Sequence, residues 1–94
     1  MIIRFTKQAK QALREVAEYT LETYGEAMRS SYIDEILAGI DLLERFPQMG
    51  SDVAGHEGVK NLRRGRHIVY YELGQGEILI LAVLHEKQLP SGHL

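Results

Sequence analysis

Apolar residues recur at three- and four-residue intervals from Ala9 to Phe46, and beyond Pro47 that period gives way to short β-branched and aromatic runs. Ala9, Leu13, Val16, Thr20 and Tyr24 share one helical face, widened by Ala12, Ala17 and Leu21. Thr6 is placed to cap the first turn by accepting an amide hydrogen bond, and Gly25 supplies the left-handed conformation that ends the helix. Met28, Tyr32, Ile36, Ile40 and Leu43, flanked by Ile33, Leu37 and Phe46, repeat the period until Pro47 and Gly50 stop it. So brief a connection predicts an antiparallel helical hairpin. Gly39 weakens the second helix, and is expected where a neighbouring backbone comes close.

Residues 2–5 predict a first strand. After a loop marked by Gly50, Gly55 and Gly58, three more are predicted at Val59–Arg64, Arg66–Leu73 and Glu77–His85, with hairpin connections at Gly65 and at Gly74-Gln75-Gly76. Ile78 to Leu84 is apolar throughout, so both faces should be covered and the strand should lie inside the sheet. The order predicts an α+β fold, β-α-α-β-β-β, with the helical hairpin packed on a small, mostly antiparallel sheet. At 94 residues, 1–94 reads as one domain.

Composition narrows the function more than the fold. A hydrophobic share of 45% excludes a disordered tail, and the absence of cysteine excludes disulfides and thiolate metal sites. The amino terminus lacks the plan of a signal peptide, and Ile78–Leu84 is too short to span a bilayer. The expectation is a soluble cytoplasmic chain with no membrane partner. A net charge of −2 argues against general binding of free nucleic acid, but the charge is divided unevenly. Residues 15–57 carry ten acids against Arg29 and Arg45, whereas residues 58–71 carry Lys60, Arg63, Arg64 and Arg66 and no acid.

That basic segment is the first candidate site, because arginine's planar fork suits phosphate or carboxylate. Strand alternation sends Arg63 and Arg64 to opposite faces, and solvated bases that deter edge pairing are the competing reading. On the first helix Lys7, Lys10, Arg14, Glu18, Glu22 and Glu26 form a polar stripe whose charges oppose the helix dipole. It reads equally as a partner surface or a solvated face. His67 and His85 fall on hairpin strands, where acid–base work and ordinary hydrogen bonding both stand open. No short-spaced histidine pair, phosphate loop or nucleophile elbow occurs, so neither metal nor cofactor is expected. Tyr70-Tyr71 has the look of a stacking platform, although alternation turns one ring into the core.

The ordered set Ile3-Arg4-Phe5-Thr6, Ala9, Leu13, Tyr24-Gly25, Leu43, Phe46-Pro47, Gly50, Arg63 to Tyr71 and Val83-Leu84-His85-Glu86 resembles the ParE branch of the RelE/ParE toxins. The ending His85 to Leu94 is similar to ParE tails. RelE-type members cut messenger RNA on the ribosome with basic residues on and after the last strand, often with a carboxy-terminal tyrosine. Here Glu86 stands where such an arginine is expected and no tyrosine follows Tyr71; a carboxylate there repels the scissile phosphate. The resemblance therefore implies a type II toxin that inhibits DNA gyrase by binding and is neutralised by a ParD-like antitoxin, with no catalytic residue. The alternatives are a ribosome-dependent endoribonuclease using Arg63, Arg66 and His67 or His85, and a degenerate toxin that only binds antitoxin. The candidate target-binding residues are Arg63, Arg64, Arg66, His67, His85, Glu86 and Lys87. The candidate antitoxin-binding residues are Arg14, Glu18, Glu22, Ile33 and Leu37, from the helix stripe and surplus apolar positions that suit a peptide-like tail.

Overall fold

Thr6 joins three elements at one point. A computed structural model describes all residues from Met1 to Leu94. In it, Thr6 ends strand β1 (Ile2–Phe5) and caps helix α1 (Lys7–Tyr24). Its Oγ1 accepts the Ala9 N–H at 3.0 Å and donates to the Leu81 carbonyl at 2.9 Å, while its own N–H donates to the Ile80 carbonyl at 3.0 Å. The capping hydroxyl thus also pins the start of α1 to strand β5 (Glu77–His85). Gly25 then ends α1 with its N–H on the Leu21 carbonyl, and helix α2 (Glu26–Arg45) starts at the next residue. Its φ of +92° is positive as expected, but its ψ of 177° is extended, not left-handed helical. That conformation lets one glycine serve both helix ends.

Strands β2 (Ser51–Asp52), β3 (Val59–Arg64) and β4 (His67–Leu73) complete a five-stranded sheet ordered β1-β5-β4-β3-β2. Its pairings are antiparallel except β1 with β5, so β5 lies inside as its apolar run predicts. The predicted α+β architecture holds, with three corrections. A short β2 pairs with Lys60 and Asn61, too brief and polar to show a period. The hairpin turn takes two residues, Gly65-Arg66, so β4 begins at His67 and not Arg66. Gly39 admits the Arg64 side chain, whose Cγ would lie 2.9 Å from an added Cβ, and not a neighbouring backbone.

The helices cover one face of the sheet, where Ala9, Val16, Ile36, Ile40, Leu43, Val69, Tyr71, Ile78, Ile80 and Val83 form the main core. The other face buries Val59, Tyr70, Ala82 and Leu84, with Val53 and the terminal Leu94 packed against them. Tyr70 and Tyr71 are therefore both buried, on opposite faces, and neither offers a ring for stacking. The Tyr71 hydroxyl accepts the Gly50 N–H at 3.0 Å and donates to the Pro47 carbonyl at 2.8 Å, tying down the chain after α2. A bulge interrupts β5: Tyr70 faces Ala82 and Tyr71 faces Ile80, leaving Leu81 unpaired. Alternation changes phase there, so Ile78, Ile80 and Val83 all reach the helix side. No helix is long and apolar enough to cross a membrane.

Gly65 has φ +59° at the first central position of a two-residue turn, and an added Cβ would lie 2.6 Å from the Tyr32 ring. Gly65→Ala should therefore lower unfolding free energy by roughly 1–3 kcal/mol. Gly74→Ala, at a glycine without positive φ, should cost clearly less. Urea denaturation of the two variants checks the difference, and equal losses would contradict this account of the turn.

Candidate functional site

The hairpin β3–β4 brings basic residues to one end of the sheet, and the end of β5 supplies the only carboxylate they bind there. Arg63 projects from the face away from the helices. Its Nη1 and Nη2 both donate to Glu86 Oε1, at 3.0 and 2.6 Å. Arg66 in the turn places Nη1 3.7 Å from Glu86 Oε2. The Glu86 N–H donates to the Arg66 carbonyl at 2.8 Å, holding the start of the tail against the turn. Arg64 goes to the opposite face, as alternation requires, where its stem packs over Gly39. Arg63 and Arg66 are thus brought together, Arg64 is separated from them, and Lys87 follows Glu86 with its side chain exposed.

On the helix face, His67 and His85 stand directly opposite in the β4–β5 register with ring centroids 5.3 Å apart. Tyr32 of α2 completes the cluster. Its hydroxyl accepts the Arg66 N–H at 3.0 Å and lies 2.5 Å from His67 Nδ1. Its proton can go to that nitrogen or to the Arg64 carbonyl at 3.5 Å, according to the His67 tautomer. His85 Nδ1 accepts the Lys87 N–H at 3.2 Å. The His85 Nδ1 lone pair is therefore committed, and the neutral His85 ring carries its proton on Nε2. In that state His85 has no free lone pair for general-base work or metal ligation. No group of three or more His, Asp or Glu residues gathers as a metal site. Burial first, then repulsion from His85, holds the His67 imidazole below its ordinary range, while Glu86 opposes the shift.

The same histidines line one end of a groove of about 910 Å³ between α1, the start of α2 and the ends of β4 and β5. Ala12, Tyr19, Met28 and Tyr32 form its helical wall, and the carboxy-terminal segment contributes Gln88 and His93. The Gln8 side chain holds the His93 carbonyl at 3.1 Å, so that segment returns to α1. Arg14, Glu18 and Glu22 lie on the outer, exposed side of α1 and do not line this groove. Ile33 packs against the main core and Leu37 is 37% exposed, also away from it. Sequence reasoning placed Tyr32 in a core stripe and missed its hydroxyl as the link between turn and histidine. The available signal was a tyrosine in an otherwise aliphatic stripe, since a buried hydroxyl needs a partner.

Two helices on one face of a five-stranded sheet are an arrangement this chain shares with solved chains of two toxin–antitoxin systems. A chromosomal ParDE system from P. aeruginosa superposes with a TM-score of 0.79 at 18% identity, over 90% of this chain and 95% of the other. The RelBE2 toxin–antitoxin complex from Mycobacterium tuberculosis gives 0.58 at 24% identity, over 89% and 95%. Residues 3–90 match the model of the ParE toxin of type II toxin–antitoxin systems. Toxin ParE1 of Caulobacter vibrioides is 28% identical over 92 residues, covering 97% of this chain and 95% of that protein. The chain belongs to the ParE toxin family.

His67 gives this site a pH signature. Above the ordinary imidazole value of 6.5 both folded and unfolded chains are neutral at this position. Below it the unfolded chain takes up a proton that the folded one resists, so stability should fall on acidification through that point. His67→Gln should remove this component and flatten the pH dependence of thermal unfolding between about pH 7 and 5. An unchanged slope would show that His67 is not its source.

Proposed function

We propose that this chain inhibits DNA gyrase by binding it, without catalysing a reaction, and is neutralised by a ParD-like antitoxin. The observation that carries the non-catalytic reading is the state of the basic hairpin. Its two convergent arginines are already paired with Glu86, and the neighbouring His85 has its Nδ1 lone pair spent on the Lys87 N–H. A ribonuclease needs cations turned to the scissile phosphate and a free base beside the attacking hydroxyl. Binding needs only shape and complementary charge. Membership of the ParE family supports the same reading.

The groove suits a peptide-like partner. Because Glu86 bonds back to Arg66, alternation turns the backbone groups of Val83 and His85 away from β4, toward the edge that β1 leaves at Thr6. Those of His85 are taken by Gln88, whereas the pairing of β1 with β5 ends at Ile80, before the buried Val83. An antitoxin segment in the groove would lie between the apolar wall and the histidines. The exposed stripe of Arg14, Glu18 and Glu22 and the nearby Leu37 remain candidates for its flanking contacts.

Purified protein should block gyrase supercoiling, and the cognate antitoxin should restore it. Stoichiometric excess without inhibition would refute the gyrase target. Arg63→Ala combined with Arg66→Ala should weaken inhibition by about tenfold or more, ~1.4 kcal/mol, with a smaller effect on antitoxin affinity. Equal losses would assign the hairpin to folding or to the antitoxin. Primer extension on induced cells separates the nuclease alternative, which requires codon-linked cuts in messenger RNA.

A further inference from the structure

The pair formed by Arg63 and Arg66 has the geometry of an oxyanion site with an occupant supplied by the chain itself. We propose that these two guanidiniums form a binding site for the phosphodiester backbone of nucleic acid, and that Glu86 occupies it and keeps it closed. A carboxylate and a phosphate present a similar pair of oxygens, so a fork that takes Oε1 at 2.6 and 3.0 Å also suits a phosphate oxygen. Arg66, at 3.7 Å from Oε2, stands ready beside a second.

The Glu86 side chain is 27% exposed and is gripped by both nitrogens of the Arg63 fork. The Arg63 and Arg66 side chains, however, are 54% and 77% exposed, so the pair is partly screened and open to exchange with a competing anion. The main effect of Glu86 is electrostatic subtraction: Arg63, Arg66 and Lys87 meet one acid at this corner of a chain whose net charge is −2. An acidic protein partner would offer these arginines no more than Glu86 already does. A nucleic-acid strand offers charge in series, with counterion release for each phosphate neutralised, and that favours it as the ligand class. Glu86 is then the residue that sets which class of partner the hairpin admits.

The test uses the full chain and a short fluorescein-labelled single-stranded DNA, followed by anisotropy at low salt. Glu86→Gln should bind at least about tenfold more tightly than the parent chain. Its salt dependence should steepen by roughly 1.4 log units per log unit, the signature of two further phosphate contacts. Adding Arg63→Ala and Arg66→Ala to Glu86→Gln should abolish the gain. Glu44→Gln, which removes the same charge from the exposed side of α2, should leave binding unchanged. No gain in Glu86→Gln, an equal gain in Glu44→Gln, or a gain that survives loss of both arginines would each overturn the proposal. If Glu86→Gln does not fold, Glu86→Ala is read against the same outcomes. The measurement contains no gyrase, so it can fail or succeed independently of the gyrase reading.

Discussion

The unpaired Leu81 in β5 determines which residues meet at the site. On the amino side of this bulge the even-numbered residues Ile78 and Ile80 face the helices; beyond it Val83 does, and Ala82 and Leu84 face away. If alternation ran unbroken through Leu81, His85 would leave the helix face and Glu86 would enter it. The bulge thus sets His85 opposite His67 and beside Tyr32, and sends Glu86 to the face of Arg63. Packing maintains it from both sides. Ile80 and Ala82 are fully buried on opposite faces, and restoring a regular phase would drive one set of buried side chains into the wrong layer. Each large aliphatic group so displaced would forfeit about 1.5–3 kcal/mol of burial.

Two anchors turn this phase into a fixed site. Thr6 holds the Ile80 and Leu81 carbonyls at the bulge itself, so the start of α1 is registered against the place where β5 changes face. Tyr32 does the same at the far end. Its ring fills the space left by the missing Cβ of Gly65, and its hydroxyl joins the turn backbone to His67. The hairpin tip is consequently braced by α2, and the side chains of Arg63 and Arg66 start from a positioned backbone. Rigid presentation reduces the ordering cost on binding, which favours a recognition surface.

Most of the architecture was legible because each element carried its own local signal. Thr6, Gly25 and Pro47 punctuate the helices, while Gly65 and Gly74–Gly76 punctuate the strands. The bulge was illegible for a physical reason. A run apolar from Ile78 to Leu84 shows no alternation, so a change of phase within it leaves no trace. Every inference about side-chain neighbours past Leu81 lost its footing there. The separation of Arg63 from Arg64 was legible, because β3 is regular up to the turn. The joining of Arg63 to Glu86, 23 residues away, depended on the bulged strand. Gly39 signalled a close approach, but a missing Cβ looks the same whether backbone or an arginine stem fills the space. A groove was expected from the α1 stripe with Ile33 and Leu37. The one observed instead joins Ala12 and Tyr19 of α1 to Met28 of α2, His67, His85 and the carboxy-terminal segment, a meeting of distant elements that helical periodicity does not encode.

The two faces of the hairpin end make different demands on a partner. Toward the helices the groove offers an apolar wall and two imidazoles held by backbone and tyrosine. These groups reward a polypeptide, which brings both side chains and backbone hydrogen bonds. Away from the helices the surface offers only charge, and Glu86 has already subtracted from it. Within low-dielectric surroundings such a carboxylate would be a strong neighbour for Arg63; at a half-exposed corner it is a modest one. The site therefore divides into a shaped half, whose specificity comes from fixed donors and packing, and an electrostatic half, whose selectivity rests on one acid.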